Sequence, residues 1–88
     1  MCRYKLLLRA LFQTELRGYR ARSGDTQEEM AEKLRVSPRS YIDLEHGKYS
    51  LSSVTLLFFL SHLTDGEIVE LVRRFAERAE EDEHVRIA

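Results

Sequence analysis

Apolar positions recur at steps of three and four along most of the chain, the spacing of helices that each turn one stripe inward. The first stripe, Tyr4, Leu7, Leu8, Leu11, Phe12, Leu16 and Tyr19, predicts a helix from about Arg3 to Arg22, stopped by Ser23-Gly24. Thr26 stands three residues before Glu29 as in a capping box, and Met30, Ala31 and Leu34 share one face of the short helix it opens. Arg35-Val36 breaks that run. Ser37-Pro38 then opens a third helix with a cap residue followed by proline at the first helical position, Tyr41 and Leu44 turn inward, and Gly47 ends it. After a loop from His46 to Leu51, serines can cap a fourth helix with Leu56, Phe59, Leu60 and Leu63 inward. Thr64-Asp65-Gly66 caps a fifth, with Ile68, Val69, Val72, Phe75, Ala76 and Ala79 as its apolar side. No sustained alternation of Val, Ile and Thr suggests a sheet, so the expected class is all-α.

The second and third helices are short and joined by about three residues, which makes a helix-turn-helix whose second helix is shaped to enter a DNA major groove. On Thr26, Gln27, Met30, Ala31, Leu34, Val36, Ser37, Tyr41, Leu44, Glu45, Gly47 and Lys48, this stretch resembles the phage-repressor type of helix-turn-helix, the family of Cro and lambda repressor. The likeness extends over roughly residues 16–72 and implies a five-helix lambda-repressor-like domain, here with an extended first helix. Three departures stand out. Arg35 occupies the usual turn glycine, Asp25 a usually buried leucine, and Ile42 and Asp43 positions that are commonly polar or basic.

With 88 residues the chain has room for one core, expected over residues 1–79, followed by an acidic C-terminal tail, 80–88, expected to fray. The net charge is only −1, yet the first 24 residues set Arg3, Lys5, Arg9, Arg17, Arg20 and Arg22 against Glu15 alone, while acids dominate from Glu77 onward. Phosphate binding depends on the local field, so this asymmetry outweighs the total. Cys2 has no partner for an internal disulfide, which makes a reducing cytoplasm the expected location. Residues 1–12 mimic a signal peptide, but Arg9 interrupts the apolar run and no stretch approaches a membrane span. His46, His62 and His84 share no ligand spacing with one another or with Cys2. There is no glycine-rich phosphate loop or placed nucleophile–base pair. No catalytic residue, metal or cofactor is therefore expected.

The candidate DNA-binding residues are Gln27, Ser37, Pro38, Arg39, Ser40, Asp43 and Lys48. Gln27 opens the second helix, where the family uses the amide to grip a phosphate and buttress the recognition helix. Arg39 is the residue best suited to base readout, because a guanidinium reaches guanine O6 and N7 bidentately. Ser37 and Ser40 can bond phosphates or base edges, and Lys48 lies where the family's loop meets the backbone. Asp43 would be repelled by phosphates unless it accepts from a cytosine amino group or from an arginine of its own protein. By the same resemblance, Arg20 and Glu45 form a partly buried ion pair that orients the recognition helix.

Tyr4 and Leu8 on the extended first helix, and Leu57 and Phe58 outside the core face of the fourth, exceed what one small core needs. They suggest a homodimer reading two half-sites of double-stranded DNA. The alternative is an antitoxin-like or antirepressor-like module that keeps the fold for a protein partner. The mild acidity of residues 25–50 favours it, with six acids against four bases.

Overall fold

A computed structural model describes residues 3–87, so Cys2 lies outside the described residues. Five helices follow in order: α1 (Arg3–Ser23), α2 (Gln27–Leu34), α3 (Pro38–Glu45), α4 (Ser53–Leu60) and α5 (Asp65–Ile87). The three short central helices are bracketed by the two long ones.

The punctuation is local chemistry. Thr26 and Glu29 form the full capping box, the Glu29 amide donating to Thr26 Oγ1 at 3.1 Å and the Thr26 amide to Glu29 Oε1 at 2.8 Å. Ser37 caps α3 by accepting from the Ser40 amide, and Ser52 caps α4 by accepting from Thr55. A second capping box, beyond the one expected at Thr26, pairs Thr64 with Glu67 at the start of α5. Its hydrogen bonds to the Thr64 backbone and side chain hold the Glu67 carboxyl below its ordinary value.

The core joins Leu11, Phe12 and Leu16 of α1 to Met30, Ala31 and Leu34 of α2, Tyr41 and Leu44 of α3, Phe59 of α4 and Leu71 of α5. Phe59 lies at its centre, edge-on to Phe12 at 5.9 Å and to Tyr19 at 5.7 Å between ring centroids.

The structure corrects one expectation. On α5, Val69, Val72 and Ala76 are exposed and Leu71 is the buried residue, with Ile68 and Phe75 beside it. The inward stripe is Ile68, Leu71 and Phe75, at steps of three and four, and on the same side of α5 Arg74 pairs bidentately with Glu15 of α1 at 2.9–3.0 Å. Beyond the core, α5 continues to Ile87. Its last turns are tied to α1 through Arg3 to Asp82 at 2.8 Å and Tyr4 to Glu83. The long first helix and the long last helix thus satisfy each other.

Candidate nucleic-acid interface

Glu45, the last residue of α3, is 3% exposed and receives four hydrogen bonds. Arg20 donates twice, Nε to Oε2 at 2.8 Å and a terminal nitrogen to Oε1 at 3.0 Å. The Tyr41 hydroxyl donates to Oε2 at 2.6 Å and the Gln27 amide to Oε1 at 3.3 Å. Burial alone would push the carboxyl pKa up; the hydrogen bonds from Arg20, Tyr41 and Gln27 outweigh it and hold the group below its ordinary value. Burial and the same carboxylate drive the Tyr41 hydroxyl well above its usual range, so it stays a donor. One carboxylate therefore locks α1, α2 and α3 together. The Tyr41–Glu45 spacing of one helical turn was legible in the sequence, but the convergence of Gln27 on the same carboxylate was not.

With its far end clamped, α3 presents its opening turn outward. Ser37, Pro38, Arg39 and Ser40 are all exposed, the Arg39 side chain to 78%. Ser37 Oγ and Ser40 Oγ are 3.0 Å apart. Of the two alternatives for Asp43, the structure has the arginine of its own protein: the side chain is only 14% exposed and lies between two cations, 3.7 Å from Arg39 and 3.8 Å from exposed Lys48. Both cations lie near the same carboxylate oxygen, so they stand on one side of the helix. Gln27 is half-buried, and its amide points to Glu45.

The departures from the family pattern have local partners too. Arg35 occupies the left-handed region (φ 61°, ψ 39°), where glycine is normally favoured. Its guanidinium donates to the carbonyls of Glu32 at 3.2 Å and Lys33 at 2.8 Å, capping the end of α2, and lies 4.6 Å from the centre of the Phe58 ring. Asp25 accepts from Lys33, which holds its carboxyl below the ordinary value, and Lys33 lies over the Tyr19 ring at 5.2 Å.

The four residues singled out for dimerisation divide. Tyr4 is hydrogen-bonded to Glu83 and Leu8 packs on the core, so both are engaged within the chain. Leu57 is 64% exposed, as is Val54 one turn before it, and Phe58 lies half-buried beneath Arg35. Val54, Leu57, Phe58, Ser61, His62 and Arg35 line a shallow groove on this side of α4. Among the described residues, no three His, Cys, Asp or Glu side chains converge as a metal site, and no helix is long and apolar enough to cross a membrane.

A sequence model of the helix-turn-helix family matches residues 16–71. The match covers more than half of the chain and the whole of the clamped α2–α3 unit, and the chain belongs to this family, the Cro-like, XRE-type helix-turn-helix domains. These are DNA-binding regulatory domains and not typically enzymes. No curated protein and no solved structure matched the chain.

Proposed function

We propose that the chain is a sequence-specific transcriptional regulator that reads the DNA major groove with α3 and binds an inverted repeat as a homodimer. The observation that carries this reading is the division of α3: its last residue is buried under four hydrogen bonds, while the turn from Ser37 to Ser40 is exposed and the Arg39 guanidinium lies in solvent beside Asp43. A rigidly held helix with a short polar first turn suits entry into a groove about 12 Å wide. Arg39 is assigned to a base edge, Ser37, Ser40 and Lys48 to phosphates or sugar, and Gln27 to the support of α3 beside a phosphate. Asp43 orients Arg39 and Lys48 and does not itself face the DNA.

Titration against a randomised duplex library tests the assignment. Arg39→Ala should relax preference at one position of each half-site, at a cost of about 1–3 kcal/mol, whereas Lys48→Ala should weaken all sequences alike. A wild type that selects no duplex at low salt would remove the regulator reading and leave the α4 face as the site of a protein partner.

For the dimer, exposed Val54 and Leu57 beside the Phe58 groove supply an uncharged ridge and an adjoining hollow, which a two-fold axis can fit to each other. Two recognition helices would then sit about 34 Å apart, one turn of DNA. Sedimentation equilibrium at micromolar concentration should return about twice the 10.3 kDa chain mass, and Phe58→Glu should shift it toward monomer with helical content intact. A clean wild-type monomer throughout that range removes the dimer.

A further inference from the structure

The two flanks of α1 differ in charge balance. On the flank against α5, the charged side chains are matched: Arg3 with Asp82, Glu15 with Arg74 and Arg22 with Glu67. The other flank lies along the recognition helix and the loop that follows it, as three approaches show. Arg20 holds Glu45; a Cβ on Gly47 would fall 2.7 Å from Gln13 Oε1; and Ser50 Oγ is 3.5 Å from the Lys5 carbonyl. Lys5, Arg9, Gln13 and Arg17 succeed one another at intervals of four residues along that flank, so they sit on successive turns. Lys5, Arg9 and Arg17 form no ion pair among the described residues.

We infer that Lys5, Arg9 and Arg17 form a second phosphate-binding strip, which continues the DNA contact of α3 and Lys48 along the backbone beyond the recognition helix. This rests on the DNA-binding reading and deepens it. The strip adjoins the loop that carries Lys48, through Gln13 against Gly47, and the local acids already have cationic neighbours, Asp43 in Arg39 and Lys48 and Glu45 in Arg20. Lys5 and Arg9 lie about 6 Å apart along the axis and Arg9 and Arg17 about 12 Å, with Gln13 between them, a row of donors that suits a polyanion. Two of the three cations precede residue 16, where the family match begins, so the strip is largely a property of the extension. It reads no base. Its effect is affinity and register, through release of condensed counterions.

The salt dependence of duplex binding tests it. Each phosphate that the protein no longer neutralises should reduce the slope of log K against log salt by about 0.9. The combined variant Lys5→Gln, Arg9→Gln, Arg17→Gln should therefore lower the slope by roughly 2–3 and weaken every sequence alike, with base preference unchanged. Arg73→Gln with Arg78→Gln on α5 should leave the slope as it is. Arg17→Glu, at an exposed position, gives a second reading with little risk to folding and should weaken binding in the same sequence-independent way. A wild-type slope in the triple variant, with Arg17→Glu also binding normally, overturns the strip while leaving the DNA reading intact. A wild type with no salt-dependent duplex binding overturns both.

Discussion

α3 and α4 are built on the same local plan and present opposite surfaces. Each is eight residues long, and each opens on a serine that accepts from the amide three residues on. From there they part. α3 sends Pro38, Arg39 and Ser40 outward and ends on a buried carboxylate, whereas α4 reads Ser-Val-Thr-Leu-Leu-Phe-Phe-Leu and is apolar on nearly every side. A helix apolar all round is normally buried, yet Val54 and Leu57 face out. Caps decide that a helix forms; outward side chains decide what it meets. In α3 the polar groups are internally matched at one end and open at the other. In α4 the core side is complete through Phe59 and Thr55, and the outer side presents Val54 and Leu57 to solvent.

The largest effect separates the two sides of α4. Phe59→Ala removes the ring between Phe12 and Tyr19 and should cost about 3–5 kcal/mol in chemical denaturation. Leu57→Ala should change the unfolding free energy of the isolated chain by under about 1 kcal/mol. Similar losses for both would mean that α4 has no free side.

Next comes the clamp at the end of α3. Glu45→Ala strands Arg20, the Tyr41 hydroxyl and the Gln27 amide, and should cost about 3 kcal/mol, against under about 0.5 kcal/mol for exposed Glu28→Ala. Equal melting temperatures for the two variants would remove the clamp from the account.

Acid titration sharpens the same contrast. The folded-state pKa of Glu45 is depressed, so its contribution is fully present above the unfolded value of about 4.3 and is lost as pH falls through the folded value. Stability measured from pH 7 downward should thus fall below about pH 4, more steeply in the wild type than in Glu45→Gln. Asp25, held low by Lys33, and Glu67, held low by its capping box, add to the same acid limb in both proteins. Parallel acid limbs would show that Glu45 titrates as an exposed carboxylate does.

The smallest expected change is at Arg35. Arg35→Gly relieves a left-handed residue by about 1 kcal/mol but loses two carbonyl hydrogen bonds and the cover over Phe58, so the net change should stay within about 1 kcal/mol. Arg35→Ala keeps the strain without those compensating bonds, and should be the less stable of the two. The reverse order in thermal melts would show that the backbone at Arg35 is unstrained.

Much of this architecture is written in short-range chemistry, and the sequence by itself determined it. Thr26 with Glu29, Ser37 with Pro38, and Gly47 specify where α2 and α3 begin and end, because a cap needs only residues within one turn. The inward faces of α1 and α3 followed from spacing alone. Tertiary structure decided what pairwise geometry controls. Leu71, in line with Ile68 and Phe75, took the core position while Val69 and Val72 face out, because the packing of α5 on α1 buries that stripe, and residues 80–87 are helical where Asp82 and Glu83 meet Arg3 and Tyr4. Asp43, a puzzle as an isolated carboxylate, became intelligible between Arg39 and Lys48. Helical periodicity records which residues share a face, whereas packing between elements far apart in sequence selects which of two overlapping apolar stripes is buried, and a linear pattern does not encode that packing.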